Sequence, residues 1–189
     1  MIKNKKDYKE YLKKDFEMNY GEKGIKQLIK DRILKSHNYY MYKYLILLRK
    51  DELYTNKNKL LYKFLKIYIR RKRNKLGNTL GLSIPVNVIG KGVKIWHYDV
   101  IVNGYAKIGE NCVFHGENCI GNNSFSMKAP VIGRNVDIGI GSKIIGDVTI
   151  SDDIVIGANS VVTKSFLEKG IVIAGVPAKK IKNRDDINV

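Results

Sequence analysis

Cysteine is scarce in this sequence, and its spacing is not that of a metal site. Only Cys112 and Cys119 are present, seven residues apart. Two such cysteines favour reduced, structural thiols over a disulfide framework or a zinc site. The pattern therefore predicts a cytoplasmic protein without structural disulfides.

Long apolar runs are also absent. No stretch approaches the roughly 18 apolar residues that a membrane-spanning helix needs. Residues 1–6 are rich in lysine, and no apolar signal core follows them. Secretion is therefore not expected.

Histidine is scarce as well, which limits the metal chemistry that we expect. The chain has 3 histidines. His97 and His115 lie in the C-terminal part, whereas a carbonic-anhydrase-like metal site uses three imidazoles. We predict no metal, and we expect the third histidine, His37, to have a structural or solvent-facing role.

Acidic residues are few in the first part of the chain. Residues 1–76 contain 23 Lys and Arg against 8 Asp and Glu, whereas residues 77–189 contain 12 against 10. Two interpretations are open: the basic helices contact an anionic membrane at its inner face, or they pack on one another with solvated bases. Nucleic-acid binding is not expected, because no recognised binding motif accompanies the charge.

What the second part does contain is a repeat of six residues. In steps of six from Val102 to Val162, ten of eleven positions are apolar, and glycine often follows them. A period of six fits neither an amphipathic helix nor an alternating strand. It predicts a parallel β-helix with three short faces per coil, in which apolar residues point inward and glycines allow the corners. Ile89 and Ile95 are one residue out of phase, so we expect a one-residue adjustment between Ile95 and Val102.

The first part is predicted to be helical. Apolar stripes predict helices at residues 5–19, 25–34, 39–49 and 59–73, with a polar connection between the last two. The sequence thus divides into a basic helical region (1–76), a β-helix domain (77–181) and a loose polar tail (182–189).

Several phrases of the repeat resemble those of a known superfamily. The segments IGKGVKIWHYDVIVN, KAPVIG, IGANSVVTKSF and VIAGVPAKKI are similar to hexapeptide-repeat acyltransferases, in particular to serine acetyltransferases and related O-acetyltransferases of polysaccharide gene clusters. The resemblance implies a mainly β fold, a left-handed parallel β-helix behind the α-helical region. It also implies a homotrimer with acetyl-CoA as donor.

His97 and His115 are the candidate catalytic residues. They are eighteen residues apart, one coil, so we expect them to be stacked about 4.8 Å apart. A neutral imidazole can take the proton of an attacking hydroxyl group. By resemblance, His97 matches the essential histidine of serine acetyltransferases.

Three positions depart from that family's pattern. Trp96 and Leu82 stand where the family has aspartates, and Ala129 stands where it has a second histidine. These departures favour a sugar or glycan precursor as acceptor. Serine O-acetylation is the alternative, and a non-enzymatic β-helix assembly protein is a lesser one.

The resemblance also implies where the coenzyme and the acceptor bind. Small residues and lysines late in the repeats match the coenzyme site between subunits: Gly139, Gly141, Ser142, Ala158, Thr163, Lys164, Pro177, Lys179 and Lys180. Residues around the histidines are the expected acceptor contacts: Trp96, Tyr98, Asp99, Glu117, Asn118 and Lys128.

Overall fold

The N-terminal part of the chain is helical. The computed structural model describes residues 1–58, 60–124 and 126–186. Its helices are α1 (Lys5–Tyr20), α2 (Gly24–Ile33), α3 (His37–Thr55) and α4 (Leu60–Leu80). Asn4 caps α1 because its side chain accepts from the N–H groups of Lys6 and Asp7, and Ser36 caps α3 in the same way.

The C-terminal part consists of short strands. They are β1 (Leu82–Ser83), β2 (Lys94–Ile95), β3 (Val100–Val102), β4 (Lys107–Ile108), β5 (Val113–Phe114), β6 (Asn118–Gly121), β7 (Val131–Ile132), β8 (Asp137–Ile138), β9 (Lys143–Ile145), β10 (Thr149–Ile150), β11 (Val155–Ile156), β12 (Val161–Val162), β13 (Ile171–Gly175) and β14 (Ala178–Asn183). Within the described ranges they form three sheets, ordered β1-β3-β6-β9-β12, β4-β7-β10 and β2-β5-β8-β11-β13-β14. Neighbouring strands are parallel except β13 and β14, which confirms the three-sided parallel β-helix.

The inward residues of the coils form one continuous core. All ten apolar positions of the six-residue series are buried, from Val102 to Val162. The small or branched residues two positions earlier, such as Ala106, Cys112 and Val148, are buried too. Each coil therefore buries its faces against its neighbours.

Ser126, the polar exception in the series, lies on a surface loop. Ile108 pairs with Ile132, twenty-four residues later, whereas Ile132 pairs with Ile150, eighteen residues later. The loop between β6 and β7 thus adds six residues to one coil. Because the insertion equals one period, the register of the series is preserved.

Asparagine and aspartate, rather than glycine, make several of the sharp corners. Asn111, Asn135 and Asp153 have φ of 58°, 55° and 61°. Their side chains form a ladder, in which Asn111 Nδ2 donates to Asn135 Oδ1 (3.2 Å) and Asn135 Nδ2 donates to Asp153 Oδ1 (2.9 Å). The prediction that the glycines of the series turn the corners is wrong, because Gly109, Gly121, Gly133, Gly139 and Gly157 all have ordinary φ. At Gly109 the reason for glycine is steric. A Cβ there would lie 2.6 Å from the carbonyl carbon of Gly133 on the next coil, so close packing of coils explains this glycine.

Helices α3 and α4 are both longer than predicted. The predicted polar connection begins inside α3, because Asp51 is buried against the neighbouring helix and pairs with Arg70 (3.1 Å) and Arg73 (3.0 Å) of α4. The predicted domain boundary at 76/77 falls within α4. Gly77 does not break the helix; a Cβ there would lie 2.6 Å from the Leu82 carbonyl oxygen, so this glycine lets the helix approach β1.

The helices share their core with the first coils. Met41, Tyr44 and Leu45 of α3 belong to the same buried cluster as Ile84 and Ile89. Tyr44 Oη accepts from the Ile84 N–H (3.2 Å). The α-helical region therefore packs directly onto the first coils.

A buried ion-pair network crosses the same junction. Arg49 is fully buried, and its Nε lies 2.7 Å from Asp15 Oδ2. Arg49 also donates to Glu52 and to the carbonyl of Ile89 (3.0 Å). Asp15 Oδ1 in turn accepts from the N–H groups of residues 92 and 93 at 2.8 and 3.0 Å. The network therefore ties α1 and α3 to the backbone of the first coil.

The chain beyond residue 181 is more ordered than predicted, as far as residue 186. β14 runs to Asn183, and the Arg184 N–H donates to the Gly170 carbonyl (2.7 Å). Arg184 Nη1 donates to the Asn135 carbonyl (3.0 Å). The rest of the predicted tail, 187–189, lies outside the described residues, as does Lys59, where a helix was predicted to begin.

Candidate active site

The loop at residues 96–99, between β2 and β3, carries His97. Ile95 pairs with Phe114, nineteen residues later, whereas Val100 pairs with Asn118, eighteen residues later. Because the Trp96 N–H still donates to the Phe114 carbonyl, the predicted one-residue adjustment falls after Trp96. The expectation that His97 stacks on His115 is therefore wrong by one position. Trp96 occupies that place, with its ring 6.4 Å from the His115 ring.

Gly116 fixes where His97 lies. A Cβ on Gly116 would come within 2.7 Å of His97 Cβ, and Gly116 has φ +107°. Only glycine suits both the backbone and the space here. His97 itself is exposed, so its imidazole is accessible.

His115 has a carboxylate partner on the next coil. Its Nε2 lies 2.8 Å from Asp137 Oδ1, with the two side chains 39% and 36% exposed. Asp137 was not among the predicted site residues. The six-residue insertion between β6 and β7 hides the pairing, because Val113 of β5 aligns with Asp137 across twenty-four residues instead of eighteen.

His37 reaches the same loop from the start of α3. Its ring centroid lies 5.4 Å from that of His97 and, edge-on, 4.6 Å from that of Tyr98. Its Nε2 is hydrogen-bonded to the Trp96 carbonyl oxygen, which requires the proton on Nε2. His37 is half-buried and makes structural contacts, and nothing local in the sequence signals this tertiary contact.

Trp96 completes an aromatic and imidazole surface. Lys94 Nζ lies 3.6 Å above its ring centroid, a cation–π contact. Burial lowers the pKa of Lys94 from its usual value, with Lys23 adding repulsion. The predicted acceptor residues Trp96 and Tyr98 therefore share one exposed surface with three imidazoles.

The other predicted acceptor contacts divide into two groups. Asn118 is buried, accepts from the Gly116 N–H (3.0 Å) and donates to the Gly139 carbonyl (2.8 Å). Its amide thus joins coils and is not presented to an acceptor, contrary to expectation. Asp99 and Glu117 are both exposed, and the Asp99 carboxylate occupies the space that a Cβ on Gly81 would need.

Lys128 lies on the loop between β6 and β7. It is exposed, and its Nζ lies 2.7 Å from Asp147 Oδ2. This pairing commits its ammonium group to a carboxylate in the described structure. An acceptor would compete with that pair.

The predicted coenzyme stretch adjoins the histidine coil. Gly141 N–H donates to the Gly116 carbonyl (3.0 Å), and Lys143 Nζ donates to the Glu117 carbonyl (2.5 Å). Residues 139–143 therefore lie one coil beyond residues 115–118.

Not every residue predicted for the coenzyme is accessible. Ser142 is buried, and its Oγ donates to the Gly157 carbonyl (2.8 Å). A Cβ at Gly139 would lie 2.6 Å from the Ile156 carbonyl oxygen. Both small residues are explained by packing between coils, which corrects the expectation that they make room for the coenzyme; a Cβ at Gly141 would likewise meet Asn159.

The remaining predicted coenzyme residues are exposed. They are Ala158, Thr163, Lys164, Pro177, Lys179 and Lys180. Lys180 Nζ pairs with Glu168 (2.6 Å), and Lys164 Nζ lies 5.4 Å from the Phe166 ring centroid. This surface is the accessible part of the predicted coenzyme site.

Cys112 is not a candidate for a nucleophile. Burial raises the pKa of the Cys112 thiol to about 11, so it is protonated at neutral pH. Within the described residues, no group of three or more His, Cys, Asp and Glu side chains is placed to hold a metal ion. Over the same residues, no helix is long and apolar enough to span a membrane.

No family model matches the chain, but curated serine acetyltransferases are similar to it in sequence. A serine acetyltransferase of Buchnera aphidicola subsp. Schizaphis graminum is 35% identical over 108 residues, 55% of this chain and 41% of that protein. A serine acetyltransferase of Helicobacter pylori (strain J99) is 34% identical over 119 residues, 60% of this chain and 69% of that protein. The chain thus spans under half of the first relative and about two thirds of the second.

Solved structures share the fold over nearly the whole chain. The serine acetyltransferase of Brucella abortus strain S19 in complex with coenzyme A has a TM-score of 0.70 at 20% identity, covering 95% of this chain and 69% of that one. The serine acetyltransferase of Neisseria gonorrhoeae also has a TM-score of 0.70 at 20% identity, covering 98% and 73%. The left-handed β-helix with an N-terminal helical region is therefore confirmed.

Proposed function

The chain belongs to the serine acetyltransferase family, and from this premise we propose that it transfers the acetyl group of acetyl-CoA to the hydroxyl group of L-serine. The observation that carries this proposal is the 34% identity with a serine acetyltransferase over 69% of that protein's length. The relatives give no support to the sugar or glycan acceptor that the sequence departures favoured. We therefore propose L-serine, the alternative acceptor in the sequence analysis, as the acceptor.

Because of the departures from the family pattern, the catalytic histidine lacks the carboxylate and the second histidine that the pattern would supply. Leu82 and Ala129 are both buried, so these positions contribute to the core. Asp137 and His37 supply a carboxylate and an imidazole from other elements. We take these as this chain's replacements for groups missing from the family pattern.

We assign the general base to His97, which matches the family's histidine and whose imidazole is accessible. In the proposed step its neutral ring takes the hydroxyl proton while the acceptor oxygen attacks the thioester carbonyl. The new C–O bond forms, the C–S bond breaks, and the proton passes to the departing thiolate of coenzyme A. No acyl-enzyme is required, because donor and acceptor are bound together.

We assign His115 to the acceptor side. Its Nε2–H donates to Asp137, so Nδ1 is left with its lone pair. Such an imidazole can accept a hydrogen bond from the acceptor. Asp137 acts through this ring as a positioning residue.

The assembly and the setting remain part of the proposal. We expect a homotrimer with coenzyme sites at the subunit seams, formed by the β-helix domain, in the cytoplasm. Light scattering that gave a fully active monomer at micromolar concentration would contradict the trimer.

The test of the acceptor is thiol release from acetyl-CoA measured with L-serine, with a nucleotide sugar, and with no acceptor. We expect turnover with L-serine only, and loss of that turnover in His97→Ala. Turnover with the sugar and not with serine would restore the glycan interpretation. Release in neither case would favour the non-enzymatic assembly role.

A further inference from the structure

The outer face of α4 is apolar and exposed. Leu60, Leu61, Phe64, Ile67 and Tyr68 are 67%, 65%, 65%, 57% and 54% exposed. The opposite face, with the buried Ile69, Gly77 and Leu80, packs against α3 and β1. The interpretation that the apolar stripe of this helix only packs on other helices is therefore wrong for Leu61, Phe64 and Tyr68.

The same helix is strongly basic. Its sequence contains seven Lys and Arg and no Asp or Glu. Arg70 and Arg73 pair with Asp51 on the inner side. Four further basic residues are exposed: Lys63, Arg71, Lys72 and Lys75.

A groove of about 640 Å³ continues this surface between α1, α3 and α4. Apolar and aromatic side chains, including Leu61, Leu65 and Tyr54, line the groove. Lys5, Lys9, Lys50 and Lys57 line it as well. Apolar and basic side chains thus lie together on a surface that extends over three helices.

We propose that this face, residues 60–75 of α4 with the adjoining groove, docks on the anionic phospholipid surface of a membrane. Apolar side chains enter the boundary between headgroups and acyl chains, while Lys and Arg contact lipid phosphates. The proposal does not depend on the acetyl transfer.

Charge complementarity distinguishes this occupant from two others. A second copy of the chain would bring its own basic residues against Arg71, Lys72 and Lys75, and like charges repel. The phosphates of a nucleic acid would pair with the Lys and Arg side chains, but Phe64 and Ile67 would then face phosphates instead of apolar groups. Of these three occupants, an anionic lipid surface is the one that satisfies the apolar and the basic part together.

Cosedimentation of the full chain tests the proposal. Vesicles of phosphatidylcholine mixed with phosphatidylglycerol are compared with vesicles of phosphatidylcholine alone. One variant combines Phe64→Ala with Ile67→Ala, and another combines Arg71→Glu, Lys72→Glu and Lys75→Glu. Matched controls are Tyr105→Ala, which truncates an exposed aromatic residue of the β-helix, and Lys13→Glu on the exposed surface of α1.

We expect salt-sensitive binding to the anionic vesicles only. The apolar variant should weaken it by roughly ten-fold or more, and the charge variant by about 100-fold or more, at roughly five-fold per basic residue. Both controls should bind like the parent chain. Melting curves will show that the exposed substitutions leave the fold intact.

Three outcomes would overturn the proposal. The first is equal or no binding to both kinds of vesicle. The second is loss of binding in the charge variant alone, together with equal affinity for double-stranded DNA, which would point to a polyanion site. The third is a smaller particle mass for the apolar variant in light scattering, which would make the face an interface between copies of the chain.

Discussion

His97 is accessible at the surface, and Gly116 of the neighbouring coil packs closely against its Cβ. Replacing it with alanine removes an exposed ring and no core volume, so His97→Ala should fold. If His97 is the base, turnover should fall by roughly 10²–10⁴. Steady-state kinetics with acetyl-CoA and L-serine, with coenzyme binding measured separately, checks this.

The control for His97 is Tyr105→Ala, an exposed aromatic residue outside the proposed site. It should keep parental turnover. Near-normal turnover in His97→Ala would transfer the role of base to His115.

Asp137 should act only through His115, from which it is 2.8 Å away. Asp137→Asn weakens a hydrogen bond to a charged group, worth about 1.5–3 kcal/mol, so the KM for the acceptor should rise roughly ten-fold while kcat changes less. His115→Ala should have a similar effect, and the double variant should be no worse than the single ones. Steady-state kinetics at varied serine concentration separate the effect on KM from the effect on kcat.

Additive effects of the two changes would contradict a positioning role for Asp137. Asp185→Asn, at an exposed carboxylate, is the matched control and should leave KM unchanged.

The sequence predicts some of the individual residues of the candidate site. His97 and His115 were identified because few histidines exist and because one matches a family pattern. Asp137 was missed because an inserted loop changes the coil length locally, and His37 because only tertiary packing brings α3 to the loop at residues 96–99. The sequence pattern predicts that Asn118 contacts the acceptor and that Ser142 contacts the coenzyme. Both side chains are buried, and buried polar atoms form hydrogen bonds with the backbone around them.

Among the elements, the coils depend on glycines that lie against the neighbouring backbone. Gly109→Ala places a methyl group 2.6 Å from the carbonyl carbon of Gly133. Since backbone cannot yield as a flexible side chain does, we expect a loss of roughly 1–3 kcal/mol in the free energy of unfolding. Denaturant unfolding followed by circular dichroism measures it.

Gly104→Ala is the matched control, because its Cβ would meet only Pro85 at 3.9 Å and its φ is ordinary. It should leave stability within about 0.5 kcal/mol of the parent. Equal stability for both variants would show that the coils can separate to accept the methyl group.

Strands were easier to predict than helix ends. A period of six repeats many times and tolerates one exception, so the fold followed from the pattern. The ends of α3 and α4 were missed because Asp51 and Gly77 are typical of loops by residue type. In the structure, an ion pair and a close approach to β1 keep both residues helical.

For the whole molecule, the junction between helices and β-helix could not be foreseen from either part. The charge count separated a basic region from a nearly neutral one, and it suggested two independent units. Asp15, Arg49 and Glu52 look like ordinary surface charges in the sequence, yet all three are buried at the junction.

Arg49 is the cation of the buried network at this junction. Arg49→Met keeps most of the side-chain volume but leaves Asp15 and Glu52 buried without their cation, and leaves the carbonyls of residues 89 and 90 without a donor. Breaking one partner of a buried ion pair typically costs about 3–5 kcal/mol. The loss should appear as a lower midpoint of denaturant unfolding for helices and β-helix together, because both contribute to one core. Arg32→Met, an exposed arginine of α2, should change stability by less than about 0.5 kcal/mol. If Arg49→Met melted the helices alone and left the coils folded, the two parts would be separate cooperative units and the junction would be a contact rather than a shared core.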